Sequence, residues 1–484
     1  MSLVVFVVVT FGFAGLAFSL RARARPMASV GMSGLAISVV AAVALDPDQV
    51  VLVATSGLAT TAYLRLFLVL GSLIGLGLAV AGLAARSRRD APAVTLLILG
   101  ACALTLGVVD PRAAVLVATA GGLFGVLLTL VPNGGRGGAT VGILETRAVV
   151  VAGALAIAAT AWFGRDLSRL AAQPVVFGLA YLAFALAVAI RFGAIPFHLW
   201  AARLTDVVPE TALPIVMALA PASLAVVALA WIDASVAPLL VDLGAARLIV
   251  LIIAVASIFL AAIAAFVQDD IEHVLGYSIV GDAGVIILAL ATLDPEAWAP
   301  ARMWILVFVV SRSAFAAWTA GIRTGFWTGR VADLRGWARR SPILAVAFGL
   351  VAVASVGFPG LVAFDARTSI VELTLDAPWM TIVLIGTLAP VAYYARLLWI
   401  GLARPDRILD PVDAWRPRFT RRGRTAVPVW LRTTWDDNRA FSTASVALLL
   451  GVLALATSAG AFGAPEAAAG FPPGLERQAE PIAP

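Results

Sequence analysis

The sequence contains no lysine, because all 34 of its basic residues are arginine. This absence restricts the proton chemistry of the chain. An arginine guanidinium stays protonated at physiological pH, whereas a buried lysine can gain and lose its proton. Groups that change charge must therefore be sought among the acids and the histidines.

Ligands for metals and redox centres are scarce as well. The chain has one cysteine, Cys102, and two histidines, His198 and His273. One cysteine excludes a disulfide, a zinc knuckle or an iron–sulfur ligand set built from this chain alone, and histidines within a membrane typically serve hydrogen bonding or proton relay. We therefore expect no cofactor, no metal and no redox centre of its own. The net charge of +6 lies mostly in loops, where it indicates topology and not nucleic-acid binding.

Apolar segments are what the sequence has in abundance. Its apolar fraction is 62% and its mean hydropathy is +1.00, against about 45–50% apolar residues in soluble domains. Segments of about 20 apolar residues, the length that crosses a bilayer, recur almost to the end of the chain. We predict an all-α polytopic membrane protein of about fourteen transmembrane helices, with spans that include 112–131, 144–163, 173–197, 342–373 and 442–463. A shorter apolar run at 50–59 is predicted to be a re-entrant piece or an extension of the third helix.

Arginine marks alternate loops between the predicted helices. The odd-numbered loops are rich in arginine, as at Arg21, Arg88 and Arg203, while the even-numbered loops are poor in arginine and tend to be acidic, as at Asp233 and Asp294. Cytoplasmic loops collect arginine. The pattern therefore predicts a multi-pass protein of a bacterial-type inner (plasma) membrane with both termini outside.

The predicted helices group into two similar halves. Helices four to eight and nine to thirteen form two inverted five-helix repeats in this interpretation. The full division is 1–90 for helices one to three, 91–232 for the first repeat, 245–402 for the second repeat, 403–441 for an Arg-rich cytoplasmic loop, 442–463 for helix fourteen and 464–484 for a disordered tail.

Two of the predicted helices are interrupted by glycine and proline. The seventh carries Gly193 and Pro196, and the twelfth carries Gly357 and Pro359. Proline removes a backbone donor and clashes with the preceding turn, so the freed backbone groups need partners in protein or water. Both interruptions fall in the fourth helix of their repeat, and interrupted helices at corresponding places of two repeats indicate a transport site.

A few ionisable residues lie within or beside the predicted spans. Each charge at mid-membrane costs at least about 2.5–3.5 kcal/mol, so it is expected to be paired or functional. The candidates for an ion pathway are Arg191, His198, Glu210, Asp282, Arg312, Asp365 and Arg367. Two interpretations stay open for Asp282 and Arg312: a polar axis across the membrane that holds water or ions, or a buried structural ion pair.

Four stretches resemble a known family. They are RFGAIPFHLW at 191–200, DIEHVLGYSIVGDAG at 270–284, DLRGWARRSP at 333–342 and GFPGLVAFDAR at 357–367. Their order and spacing resemble the antiporter-like proton-conducting subunits of respiratory complex I, most closely its subunit N type. Relatives of this family occur in membrane-bound hydrogenases and multisubunit sodium/proton antiporters.

The resemblance implies a proton-translocating membrane-arm subunit whose partners are other membrane-arm subunits and a soluble redox arm. In the family, a Glu on the fifth helix, Lys residues on the seventh and eighth helices and a Lys or Glu on the twelfth form the chain that carries the protons. Here Arg191 and Arg367 stand at the seventh-helix and twelfth-helix positions, and Pro221 stands at the eighth. The predicted fifth helix has no acidic residue, and Glu145, expected at the start of the sixth, is not assigned its role.

Three functions therefore stay open at this point. The first is a translocating subunit of a complex I-like NADH:quinone oxidoreductase that uses Asp282, Glu210, His198 or Asp365 with water. The second is a pump-inactive structural subunit of such a complex, and the third is an ion-carrier subunit of a cation/proton antiporter.

Overall fold

The computed structural model describes residues 1–47, 49–53, 56–85, 87–130, 136–162, 174–235, 243–404 and 429–470. Most of the predicted Arg-rich loop, at 405–428, and the end of the predicted tail, at 471–484, lie outside these ranges. The described part is built from helices and one small hairpin, so the prediction of an all-α polytopic membrane protein is confirmed.

The first half of the chain contains eight helices and the hairpin. Their bounds are α1 Leu3–Ser19, α2 Ala24–Val43, β1 Val50–Val53, β2 Ser56–Ala59, α3 Ala62–Ala84, α4 Ala91–Gly107, α5 Pro111–Leu130, α6 Arg136–Trp162, α7 Pro174–Arg191 and α8 Leu199–Leu204.

The second half begins with a π-helical turn, Ile215–Leu219, that leads into α9. Its helices are α9 Ala220–Ser235, α10 Gly244–Val267, α11 Ile271–Leu290, α12 Trp298–Phe326, α13 Trp337–Arg340, α14 Pro342–Val356, α15 Val362–Thr374, α16 Trp379–Thr387, α17 Pro390–Leu402, α18 Val429–Ser458 and α19 Ala464–Ala469.

Ten helices of the described chain are long and apolar enough to cross a membrane, and four further apolar helices have 10–17 residues. The shorter ones, which include α1, α4 and α14, fall below the about 20 residues of a straight crossing. The count of fourteen crossings and the two inverted repeats therefore stay predictions.

The loops lie at two opposite ends of the bundle, and contacts join loops of the same end. At one end, which we call the Arg-rich face, Glu210 pairs with Arg323, and the Gly336 N–H donates to Ile400 O at 3.0 Å. At the other end, the Arg-poor face, the Trp298 indole donates to Asp233. The odd-numbered and even-numbered predicted loops are thus separated in space. Which face is cytoplasmic stays a prediction.

The centre of the bundle is formed by two helices that the others enclose. Every residue at 215–232 and every residue of α12 at 301–322 is buried. Other helices are buried on one side and expose large apolar residues on the other, such as Leu248 and Ile263 of α10 and Leu449 of α18. Such surfaces suit contact with lipid or with apolar partner helices.

Several predicted segments differ from the observed ones. The apolar run at 50–59 is not an extension of α3, because its strands pair with each other as the hairpin β1–β2, in register from Val50 opposite Ala59; whether it is re-entrant stays a prediction. Helix α6 begins at Arg136 and not at 144, and α18 begins at Val429 and not at 442. Glycines near the start of α6 and the polar run at 432–439 in α18 lower the local hydropathy, so a hydropathy window misses both helix starts.

The predicted disordered tail is wrong at its start. Residues Ala464–Ala469 form a helix that packs on the bundle, and the buried guanidinium of Arg302 donates to Ala468 O at 2.6 Å. Alanine-rich sequence suits a helix, and a tertiary partner of this kind cannot be read from local composition.

An aromatic cluster holds α12, α13 and α14 together at the Arg-rich face. The rings of Trp318 and Phe348 lie 4.6 Å apart between centroids, and those of Trp318 and Trp337 lie 5.1 Å apart. The Trp337 indole donates to Leu397 O at 3.1 Å, which attaches α13 to α17. Trp318 itself is fully buried.

We predict that Trp318→Ala lowers the free energy of unfolding by about 3–5 kcal/mol, because it leaves a large cavity in a packed region. The matched control is Trp399→Ala, since Trp399 is 79% exposed. Unfolding by SDS titration in mixed micelles measures both variants. Equal losses for the two would show that the cluster does not stabilise this end of the bundle.

Candidate functional site

The first helix interruption follows α7. Gly193 adopts a left-handed conformation with φ of +63°, which glycine tolerates without strain. The freed backbone groups have protein partners: the Trp200 indole donates to Ile190 O at 3.0 Å, and the Ile195 N–H donates to Ser257 Oγ at 3.0 Å. The break is therefore satisfied by α8 and α10 rather than by lipid.

The second interruption separates α14 from α15. Gly357 and Gly360 have φ values of +62° and +93°. The Arg367 guanidinium donates to Val356 O, to Gly357 O at 3.4 Å and to Thr387 O at 3.2 Å. One side chain thus satisfies carbonyls at the C-terminal end of α14, where the helix dipole also favours a cation. The four residues predicted to break helices all lie in these two non-helical segments: Gly193, Pro196, Gly357 and Pro359.

Arg367 is suited to this position by its shape and its fixed charge. Its side chain is 1% exposed, and its guanidinium carbon lies 5.7 Å from the ring centroids of both Trp304 and Phe364. A planar group with five donors can bond several carbonyls and pack on aromatic faces at once, which an ammonium cannot.

Asp282 and Arg312 form a buried ion pair at the centre of the bundle. Arg312 Nη2 lies 3.0 Å from Asp282 Oδ2, and Arg312 Nη1 lies 3.4 Å from the Tyr393 hydroxyl. The Trp304 indole donates to the backbone oxygen of Asp282 at 3.3 Å. The Asp282 carboxylate also interacts electrostatically with Arg367, so one carboxylate lies between two permanent cations.

A small cavity of about 10 Å³ opens beside this carboxylate. Its lining includes Tyr277, Ser278, Asp282, Arg367 and Tyr393. A space of this size is about what one water molecule occupies. Asp282 is therefore placed where a water could reach it.

A second carboxylate and a second arginine meet near the first break. Arg191 ends α7 with its side chain buried, and neither of its terminal nitrogens has a hydrogen-bond partner within the described ranges. Glu145 on α6 is fully buried and accepts from the Thr129 hydroxyl at 3.2 Å. A Cβ added to Gly122 would lie 2.7 Å from Arg191 Nη2, and one added to Gly125 would lie 3.2 Å from Glu145 Oε1.

These glycines explain how the two charged groups approach. Gly122 and Gly125 are three residues apart and share one face of α5. Because neither has a side chain, the Arg191 guanidinium and the Glu145 carboxylate both pack against the backbone of α5, about one turn apart. Arg191 and Glu145 interact electrostatically. The sequence interpretation missed Glu145, because it placed this residue at a helix start, whereas it lies in the tenth position of α6.

Glu210 belongs to a separate cluster at the Arg-rich face. It is 5% exposed and lies 3.2 Å from Arg323 Nη1, which also pairs with Glu272 at the start of α11. This cluster lines an open cavity of about 1040 Å³ to which Asp206 and Arg88 also contribute. Glu210 is thus near the mouth of the bundle and not at its centre.

Asp270 caps α11 beside this cluster by accepting from the Glu272 N–H at 2.9 Å. Partial burial raises the pKa of Asp270 above its ordinary value, and the charges of His273, Arg323 and Arg330 partly offset this effect. The start of α11 is therefore a place where several ionisable groups influence one another.

The remaining candidates occupy different places. His198 lies in the segment after the first break, and its Nδ1 has no partner in the part of the chain that the structure describes. Asp365 is exposed in the first turn of α15, so the structure does not bring it to Asp282. Among the described residues, no three of His, Cys, Asp and Glu cluster as a metal site would require.

A protein-family model matches the middle of the chain. Residues 156–391 match the family described as NADH:quinone oxidoreductase/Mrp antiporter, TM. This range includes both helix breaks and the ion pair of Asp282 and Arg312.

Individual proteins match a similar part. The chain is 30% identical over 247 residues to NADH-quinone oxidoreductase subunit N of Halorhodospira halophila, covering 49% of each chain. It is 27% identical over 245 residues to the subunit of the same name in Hydrogenovibrio crunogenus, covering 49% of this chain and 50% of that one. The matched part thus spans about half the length of these relatives.

Solved structures match the fold over nearly the whole chain. A chain of the Mrp complex from Dietzia sp. DQ12-45-1b superposes with a TM-score of 0.75 at 18% identity, covering 99% of this chain and 97% of that one. A chain of respiratory complex I from Thermus thermophilus with bound NADH gives a TM-score of 0.69 at 18% identity, covering 98% and 99%. Residues 156–391, which include both broken helices and the pair of Asp282 and Arg312, therefore belong to the family described as NADH:quinone oxidoreductase/Mrp antiporter, TM.

Proposed function

We propose that this chain is an antiporter-like membrane-arm subunit of a complex I-like oxidoreductase and that it translocates protons. Its partners in this proposal are other membrane-arm subunits and a soluble arm that performs the redox chemistry. The observation that carries the proposal is the presence of a buried carboxylate beside a buried arginine at each broken helix, Glu145 with Arg191 and Asp282 with Arg367.

The chemistry assigns different tasks to the two kinds of residue. Arginine cannot release its proton under physiological conditions, so Arg191, Arg312 and Arg367 supply fixed positive charge. The proton is carried by the carboxylates, and Asp282 becomes neutral when it accepts one. Loss of the carboxylate charge weakens its attraction to both neighbouring guanidiniums, and this couples proton binding to the packing of α11, α12 and α15.

The proposed membrane arrangement follows the loop charges. The Arg-rich face is cytoplasmic in a bacterial plasma membrane, and both termini lie outside. The segments 91–232 and 245–402 are two inverted repeats, each with a broken helix. Support comes from the separation of Arg-rich and Arg-poor loops at opposite ends of the bundle.

A cation/proton antiporter subunit is the second candidate. The observation that favours it is the TM-score of 0.75 with a chain of the Mrp complex over 99% of this chain. A pump-inactive structural subunit is the third, and the buried pair of Asp282 and Arg312 favours it, because such pairs also serve to fix a structure.

We expect that affinity purification of the full-length protein from mild detergent recovers further membrane subunits together with an iron–sulfur soluble arm. Mass spectrometry of the purified assembly and its absorption spectrum measure this. Recovery with small antiporter subunits alone, and no iron–sulfur protein, would contradict the oxidoreductase proposal and support the antiporter.

We predict that Asp282→Asn lowers proton flux in proteoliposomes by at least about tenfold, because an amide cannot carry the proton. The matched control is Asp365→Asn, since Asp365 is exposed, and it should retain flux. Thermal unfolding of both variants measures the cost of leaving Arg312 unpaired.

A double variant separates transport from structure. Asp282→Asn with Arg312→Gln removes both charges of the pair, so the stability lost in the single variant should be largely recovered. Flux should stay low if Asp282 carries protons. Recovery of flux together with stability would assign the pair a structural role only.

We also predict that Glu145→Gln lowers proton flux by at least about tenfold and lowers thermal stability, because it leaves the buried Arg191 charge without its carboxylate partner. Glutamine retains the shape of the side chain and its hydrogen bond to Thr129, so only the ionisable group is lost. Glu296→Gln, at an exposed position, is the control. Unchanged flux in Glu145→Gln would remove the first break from the proton path.

A further inference from the structure

A line of polar side chains runs along α11 from the Arg-rich face to the buried ion pair. His273 lies in the first turn, Tyr277 follows one turn later, and Ser278 and Asp282 lie deeper in the same helix. Nine residues of helix rise by about 13 Å. The line therefore spans the distance from the mouth of the bundle to its centre.

His273 lies between the open cavity and the interior. Its Nε2 lies 3.2 Å from Asp206 Oδ1, and Asp206 lines the open cavity of about 1040 Å³ at the Arg-rich face. On its other side, His273 lines a small cavity of about 10 Å³ together with His198, Thr205 and Tyr277. The imidazole thus contacts Asp206, a residue of the mouth, and lines the first internal space.

Tyr277 lies between this first internal space and a second one. It lines the cavity with the two histidines, and it also lines the cavity of about 10 Å³ beside Asp282. The Tyr277 and His198 rings lie 6.4 Å apart between centroids. Each cavity has about the volume of one water molecule, so a single phenol connects two water-sized spaces.

We propose that this line is the route by which protons reach Asp282 from the Arg-rich face, through His273, the space beside His198, Tyr277 and the space beside Ser278. The proposal rests on the proposed function, since it deepens the translocation assigned to Asp282. It adds a direction and a set of residues to that assignment.

Each step conserves protons. An imidazole accepts a proton on one ring nitrogen and releases one from the other, and a phenol hydroxyl accepts one proton while it donates its own. His273 and Tyr277 therefore keep their number of protons, and a rotation of the ring or of the hydroxyl restores their starting states. The net change is one proton lost from the open cavity and one gained by the Asp282 carboxylate, which becomes a neutral acid.

The neighbouring acids at the mouth are less suited to pass a proton inward. Glu210 and Glu272 both pair with Arg323, so their carboxylates are already engaged by a cation. His198 differs, because its buried Nδ1 has no partner within the described residues. Gly276 lets this region close, since a Cβ there would lie 2.5 Å from Thr205 Cγ2.

The test compares proton flux in proteoliposomes that contain the whole purified assembly, with Asp282→Asn as the reference for loss. Tyr277→Phe removes only a hydroxyl, and His273→Gln retains a donor toward Asp206. Both are expected to lower flux to the level of Asp282→Asn. The matched control is Tyr181→Phe, because the buried Tyr181 hydroxyl donates to Leu290 O at the Arg-poor face, and it should retain wild-type flux.

Thermal unfolding of each variant checks that the assembly is intact, and His273→Gln, at a partly exposed site, should leave it so even if Tyr277→Phe does not. Wild-type flux in His273→Gln and Tyr277→Phe, with loss in Asp282→Asn, overturns the route and leaves the proposed function standing. A wild-type assembly that moves no protons overturns the proposed function itself, and the route with it.

Discussion

A helix that breaks inside a membrane must find protein partners for its freed backbone groups, and this requirement shapes the centre of the molecule. At the second break, Arg367 supplies several donors to carbonyls at the end of α14 and to Thr387 O. At the first break, the Trp200 indole donates to Ile190 O, and Ser257 Oγ accepts from the Ile195 N–H. These backbone groups therefore do not need the Arg191 guanidinium, which interacts with Glu145 instead. Different side chains thus satisfy the freed backbone groups at the two breaks. Arg367 bonds the backbone carbonyls at the second break, whereas Arg191 at the first break interacts with a carboxylate.

The absence of lysine makes this division of roles consistent throughout the chain. In a lysine-based site one group can both hold charge and release a proton, whereas here the arginines can only hold charge. In the proposed function, proton transfer is left to Asp282, Glu145 and the histidines, of which Asp282 and Glu145 interact with buried arginines and His273 lies 3.2 Å from Asp206. A buried charge costs at least about 2.5–3.5 kcal/mol in a membrane, and opposite charges at the centre offset part of this cost.

The sequence predicted the polytopic helical fold because hydropathy reports burial in lipid directly. It singled out Asp282 and Arg312, on adjacent helices, and left open whether they form a structural pair or part of a polar axis; in the structure Arg312 Nη2 lies 3.0 Å from Asp282 Oδ2. It missed Glu145, since the burial of this residue depends on the bare face of α5 at Gly122 and Gly125, which is a property of the packing of two helices. The hairpin at β1–β2 was missed for a related reason: a short apolar run does not reveal whether its backbone pairs with itself or continues a helix.

The two ends of the bundle differ in how the interior is closed. On the Arg-rich side, side chains of α11 and two water-sized cavities lie between the open cavity and Asp282. On the Arg-poor side, Arg247 donates to Ala291 O at 2.8 Å and to Thr374 O at 3.0 Å, which ties the ends of α11 and α15 together. Hydrogen bonds from charged groups contribute about 1.5–3 kcal/mol each, so separation of these ends costs more than a rearrangement of water or a rotation of a side chain. Under the proposed function, a proton on Asp282 would return more easily toward the Arg-rich face, and its net movement to the other face would need work supplied by a partner. This asymmetry suits a subunit that is driven within a larger assembly better than a carrier that acts alone.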